Sequence, residues 1–222
     1  MKLNLALAGL ALIATAGLAQ AQTNLLTNAG FEDLDPIQGD GFADGWTSFG
    51  NAYREPGYCA GNSVAPLEGS FNMGTFGAFN GGFSVGGFFQ DVAVVDNDIV
   101  YASINVLVPS CDPIVGGAFA SFNIEFYDAS NTQVAIIYGG KLADATSPLD
   151  TWTQFTVKGL APANAVKARV VGLFFQYDNS ETGSAKWDAA SVTKGCPADV
   201  NKDQSVDFGD FLSFFNGFDT GC

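Results

Sequence analysis

Between residues 25 and 192 the chain is cut into short apolar or alternating runs by clusters of Gly, Asn, Asp and Ser. No stretch there repeats its apolar residues at the period of an amphipathic helix. Asn123-Ile124-Glu125-Phe126 alternates outward polar with inward apolar residues, and Phe122 continues the inward set. Ala102, Ile104 and Val106 form a second inward row, opposed by Ser103 and Asn105. Residues 92–95, 133–138, 155–157 and 166–177 read as further strands. Turn signals fall between them at Asp96-Asn97-Asp98, at residues 128–131, at Gly139-Gly140 and at residues 178–183. Strands at this spacing predict an all-β fold, an antiparallel β-sandwich or jelly roll. Residues 50–87 are rich in Gly, Asn and Phe and alternate weakly, so long loops are expected there.

The ends of the chain differ from this middle. Lys2 supplies a positive start, residues 3–18 are apolar and small, and Ala19-Gln20-Ala21 matches a signal cleavage site. The expected organisation is a signal peptide at 1–21, a β domain at 22–194 and a small acidic unit at 195–222. No later run is long and apolar enough to cross a bilayer, so a secreted or cell-surface protein is expected. Export favours disulfides, and the four cysteines can pair in three ways. Cys196 and Cys222 bracket the acidic tail, which favours Cys196–Cys222 and leaves Cys59–Cys111.

Charge narrows the partners. With 23 acidic residues against 9 basic ones the formal charge is −14, which repels nucleic acid, anionic glycans and anionic lipid surfaces. Neutral polysaccharides and divalent cations are compatible. Histidine is absent, which removes Ser-His-Asp triads, Cys-His pairs and the usual zinc and non-haem iron ligand sets. Glu55, Glu68 and Glu125 have no companion motif, and no nucleophile elbow, phosphate loop or dinucleotide fingerprint appears. The chain is not expected to be an enzyme.

The tail carries the sharpest motif, DVNKDQSVDFGD at residues 199–210. Asp199, Asn201, Asp203, Asp207 and Asp210 occupy loop positions 1, 3, 5, 9 and 12, and Ser205 at position 7 would offer its carbonyl. A Ca²⁺ ion takes six to eight oxygens at about 2.3–2.6 Å, and such a loop can wrap one. The stretch resembles the calcium loop of a type I dockerin repeat. It departs at position 6, where Gln204 replaces the turn glycine, and in having one repeat where dockerins have two. An acidic surface loop whose Asp207 and Asp210 cap a helix is the alternative. Beyond it, Phe208, Phe211, Leu212 and Phe215 form one apolar helical stripe that either docks on the sandwich or binds another protein. The dockerin resemblance implies a cohesin-like or other surface protein as partner.

The ends of the β domain carry a second resemblance. NLLTNAGFEDLDP at residues 24–36, followed by Gly45-Trp46, is similar to the opening of secreted carbohydrate-binding modules with a galactose-binding-like jelly roll. ARVVGLFFQYDNSETGSAKWDAASV at residues 168–192 is similar to their closing hairpin, and GGFFQDVAV and WTQFTVKGLAPANA fit the strand order between. The resemblance implies a structural calcium tying the chain ends together through Asn28, Glu32 and Asp188. The alternative is that Glu32 and Asp188 are satisfied by backbone N–H groups. It also implies a glycan ligand, which needs exposed aromatics that stack on sugar rings beside polar groups. By strand parity Trp152 falls on the face opposite Phe155 and Val157, alongside Gln154. Tyr53, Tyr58 and Tyr101 are further candidates, with Asn105 and Gln90 as polar neighbours. Trp46 and Trp187 sit in motif positions that are structural. Two functions follow: a non-catalytic binder of neutral polysaccharide with a calcium-ordered attachment tail, or a cell-surface structural or protein-interaction module without a glycan ligand.

Overall fold

In the computed structural model, residues 23–59, 61–78, 82–195 and 208–212 are described. The all-β expectation holds for the domain, which is a jelly-roll sandwich of two antiparallel sheets. Sheet 1 runs β11 (Gln133–Ile137), β10 (Phe119–Tyr127), β14 (Lys167–Gln176), β8 (Ser84–Ala93), β3 (Thr47–Phe49), and β12 (Ala143–Asp144) also pairs with β10. Sheet 2 runs β13 (Thr153–Leu160), β9 (Ile99–Leu107), β15 (Ser184–Gly195), β7 (Asn72–Phe76), β4 (Ala52–Glu55). Two small hairpins lie outside the sheets, β1 (Leu34–Asp35) with β2 (Gly39–Ala43) and β5 (Tyr58–Cys59) with β6 (Asn62–Ser63). Among the described residues no helix is long and apolar enough to cross a membrane.

The alternating rows explain the sandwich. Ala102, Ile104 and Val106 of β9 and Phe122, Ile124 and Phe126 of β10 are all buried in the one core between the sheets. One end of the core is aromatic: Phe31, Trp46, Phe88 and Trp187 meet edge to face or tilted, with centroids 4.9–5.6 Å apart. Both tryptophans are buried, and each indole N–H is satisfied, Trp46 by the Asn28 carbonyl at 2.9 Å and Trp187 by Thr75 Oγ1 at 2.8 Å. The expected turns form, with Asn97 and Asn131 at φ 67° and 62° in left-handed conformations that Asn tolerates.

The first described residues lie beside the last strand of the sandwich. The Leu25 N–H donates to the Val192 carbonyl at 2.8 Å. The Asn24 side chain accepts from Val192 N–H and donates to the Ala190 carbonyl, both at 2.9 Å.

Three expectations need correction. Residues 50–87 are not only loops: β4, β7 and the start of β8 fall there, and β7 sits inside sheet 2 between β15 and β4. Alternation is invisible in β7 because its outward positions, Asn72 and Gly74, are themselves buried under a covering loop. Asn123 points outward but not into water. It is 2% exposed, and its Oδ1 accepts from Gly139 N–H at 3.1 Å and Ser121 Oγ at 3.0 Å. Gln90 is no ligand neighbour, because its amide clamps both backbone groups of Thr27, accepting from N–H at 2.7 Å and donating to the carbonyl at 3.0 Å.

In the tail, residues 208–212 are helical, as the apolar stripe predicts. Phe208 and Phe211 stack with centroids 5.5 Å apart and are 68% and 52% exposed, whereas Asp210 is buried. Asp199, Asn201, Asp203, Ser205, Asp207 and the Cys196–Cys222 pair lie outside the described residues.

Candidate ligand-binding site

The outer face of sheet 2 is built from the polar halves of three alternating strands. Gln154 of β13 stands opposite Asn105 of β9, which stands opposite Asp188 of β15; Thr156 faces Ser103, which faces Ser191; Lys158 faces Tyr101, which faces Thr193. One end of this face is roofed by residues 56–71. The roof is tied down in four ways. The expected Cys59–Cys111 disulfide joins it to the segment after β9. Buried Lys186 of β15 pairs with Glu55 and donates to the Tyr58 carbonyl at 2.6 Å. Asp188 Oδ2 accepts the Leu67 and Glu68 N–H groups at 2.8 and 3.1 Å. Glu32 accepts from Ser70 and Phe71 N–H at 2.9 and 3.1 Å. Gly57 at φ 82° closes the roof hairpin, where a Cβ would run into the Val64 carbonyl.

Where the roof stops, a cleft of about 730 Å³ opens. Its one wall is residues 62–67 of the roof. The other is Leu107, Ser110 and Cys111, with Asp150 and Trp152 just before β13. Trp152 is half-buried, and its indole N–H donates at 3.4 Å to the Ala65 carbonyl across the cleft. Asp150 adopts φ 52°, a left-handed conformation that costs a non-glycine residue about 1 kcal/mol. It is held there from two sides: its N–H donates to the Val108 carbonyl at 2.9 Å, and its Oδ1 accepts the Ser110 N–H at 2.9 Å. Hydrogen bonds from Ser110 keep its carboxyl below the usual range. No basic residue lines the cleft.

The candidate sugar contacts therefore separate. Trp152 lies in the cleft, and Gln154 is exposed on the adjoining polar face. Tyr58, 67% exposed, borders a neighbouring groove of about 650 Å³ that shares Asn62 and Ser63 with the cleft. Tyr101 lines a separate depression of about 400 Å³ further along the face, its ring 4.8 Å beneath Lys158 Nζ. Tyr53 sits on edge strand β4 against Phe76, with ring centroids 6.1 Å apart, and lines none of these hollows. Sequence reasoning missed Asn62, Ser63, Ser110 and Asp150. Only Asp150 left a trace, as a turn-forming residue two positions before Trp152.

The three residues implied for a structural calcium are engaged as follows. Asn28 closes the opening turn, with Oδ1 accepting from Asp33 N–H and its amide donating to the Asp33 and Asp44 carbonyls. Glu32 and Asp188 accept the roof N–H groups given above. Among the described residues no three His, Cys, Asp or Glu side chains form a metal-binding group. One observation does point to a small cation near Asp188. Asn72, one step beyond the Trp187↔Met73 pair and so next to Asp188, is fully buried with neither amide atom hydrogen-bonded. Asp188 is itself fully buried, and burial, with the Glu68 charge adding to it, pushes its carboxyl up to about 6 against its three backbone donors. Asp188 and Asn72 thus fit as two oxygen ligands, with backbone carbonyls needed for the rest.

Two of the glutamates considered for catalysis, Glu55 and Glu125, are engaged elsewhere. Glu55 pairs with Lys186, and burial raises its carboxyl despite that partner. Glu125 accepts the Tyr127 hydroxyl at 2.5 Å.

No family model matches the chain, and no curated protein matches it in sequence. Solved structures do resemble it. It is similar to the enzymatically active domain of tailspike protein 4 of bacteriophage CBA120, at 12% identity and TM-score 0.50 over 77% of this chain and 21% of that one. It is also similar to a cyclase from Fischerella sp. TAU, at 14% identity and TM-score 0.52 over 78% and 98% of the two chains. A family 16 carbohydrate-binding module is a further neighbour, at 18% identity and TM-score 0.48 over 77% and 99%. The chain thus spans about a fifth of the tailspike domain and nearly all of the cyclase. At these identities the first two likenesses show the shared fold alone.

Proposed function

We propose that the protein is a secreted or cell-surface, non-catalytic binder of polysaccharide that carries no anionic groups. The observation that carries this reading is Trp152 set in an open cleft among hydroxyl, amide and carbonyl groups with no cation. An indole can stack on the apolar face of a pyranose ring while such groups bind its hydroxyls. Sequence charge supports the exclusion of anionic glycans. The similarity to a carbohydrate-binding opening and closing motif agrees with it. Calcium at residues 199–210, ordering an attachment tail for a cohesin-like or other surface protein, rests on the ligand spacing alone. The test is a glycan array with the mature protein, followed by titration of Trp152→Ala. Binding to neutral oligosaccharides that is lost in this variant at an unchanged melting temperature is the expected result. Silence of the array across neutral glycans would defeat the reading.

The second reading, a protein-interaction module, is favoured by the half-exposed Phe208, Phe211 and Leu212 of the tail helix. Capture of a surface protein by the tail in the absence of any glycan binding would select it.

A further inference from the structure

The cleft has an asymmetry that a site for purely neutral sugars does not require. Its lining holds one charged side chain, Asp150, and no basic one. Asp150 is exposed, so its charge is turned toward solvent and any bound ligand. Its orientation is fixed by the Val108 and Ser110 hydrogen bonds at a backbone conformation that is retained despite its cost. The Ser110 N–H engages Oδ1. The indole of Trp152 stands two residues on in the same cleft. A held carboxylate beside an aromatic face is the pairing that recognises an organic ammonium, by charge on one side and cation–π attraction on the other.

Resting on the reading of the cleft as a saccharide site, we propose that its preferred ligand is an amino-sugar chain with protonated amines, and that Asp150 is the residue that selects it. Trp152 stacks on the ring and Asp150 takes the ammonium. Ser110, Asn62 and Ser63 are left for hydroxyls. N-acetylated chains lose the charge and keep the stacking, so they bind as neutral sugars do. Uronate chains are repelled.

Matched oligomers of glucosamine, N-acetylglucosamine, β-linked glucose and galacturonate, titrated calorimetrically at physiological salt, test this. A protein of charge −14 attracts any polycation, so the decisive quantity is a difference between variants. The glucosamine oligomer is expected to bind about fivefold more tightly than the two neutral ones. Asp150→Asn, which keeps a side-chain oxygen for Ser110 N–H and tolerates the left-handed backbone, is expected to erase that preference while leaving neutral affinity in place. Asp96→Asn, on the exposed turn before β9, is expected to leave it intact. Raising the pH until the sugar amine is neutral should erase the preference in the unaltered protein, which tests the idea without any variant. Equal affinity for glucosamine and neutral oligomers, or a preference that survives in Asp150→Asn, overturns the inference and leaves the saccharide reading standing. Failure of every oligomer to bind, or binding indifferent to Trp152→Ala, overturns the saccharide reading and the inference with it.

Discussion

The two outer faces of this sandwich solve the same problem in opposite ways. Sheet 1 exposes aromatic side chains and lets them cover one another. Phe119 stacks on Phe175 with centroids 4.7 Å apart, Phe83 and Tyr177 flank them, and Arg169 lies 3.6 Å over Phe89 while pairing with Asp91. Sheet 2 exposes hydroxyls and amides, covers one end of that face with the roof, and keeps one tryptophan at the opening. The abundance of rings therefore does not locate the ligand. Rings that stack on each other have already spent the surfaces a sugar would use, whereas Trp152 meets no other ring among the described residues.

The largest expected effect separates the ion pairs of the two faces. Lys186 and Glu55 are buried under the roof, with side chains 5% and 14% exposed. Glu55→Ala strands a buried ammonium and should cost about 3–5 kcal/mol in chemical denaturation. Asp91, whose burial is outweighed by hydrogen bonds and charge from Arg169 and Lys167, lies in the open with a side chain 30% exposed. Asp91→Ala should cost about 1 kcal/mol or less. Equal losses would erase the distinction between a roofed and an open face.

Next is the roof's covalent tie. The Cys59–Cys111 bond spans 52 residues, so the Cys59→Ser/Cys111→Ser double variant should lose about 4 kcal/mol in the chain-entropy model. Glycan affinity should fall with it, because Cys111 and the roof form both walls of the cleft. Full affinity in a still-folded double variant would show that the roof is seated by the Asp188 and Glu32 hydrogen bonds alone.

Asp188 gives the roof a pH response. Its folded carboxyl titrates at about 6 against an ordinary 3.8, so the folded state holds the extra proton between those values. The stabilisation is complete below about pH 4 and is lost as pH rises through 6, a swing of roughly 2–3 kcal/mol. Thermal melts should therefore improve from pH 7 to pH 5, and Asp188→Asn should flatten that rise. If a calcium ion sits at Asp188 and Asn72, added calcium should raise the melting temperature at pH 7 more than at pH 5. A pH-independent melt in calcium-free buffer would contradict the burial of this carboxylate.

The smallest expected effect concerns the rings. Trp152→Ala should weaken glycan binding by about 2 kcal/mol with little change in stability. Phe175→Ala on the other face should do the reverse, losing about 1 kcal/mol of stability and no affinity. If Phe175→Ala reduced glycan binding, the ligand would belong on sheet 1.

Much of this was written locally. Alternation in residues 102–106 and 122–126, the turn clusters and the parity that turns Trp152 away from Phe155 need only neighbours along the chain, and each matches the structure. Asn123 and Gln90 are polar yet buried, a combination that polarity alone does not signal, and in both cases a distant backbone group satisfies the amide. Strand β7 leaves no period-two signal in the sequence because both of its faces are buried.

The sequence by itself determined an all-β domain, its two halves of polar and apolar face, its charge and the parity that turns Trp152 away from the core, because these follow from side-chain chemistry at fixed spacing. Only the tertiary structure decided where the cleft lies. Asp150, Ser110, Asn62 and Trp152 come from three separate stretches, brought together by strand pairing and the Cys59–Cys111 tie. Such long-range contacts leave no period in the chain, and the backbone that aims Asp150 is held by hydrogen bonds to residues some forty positions away.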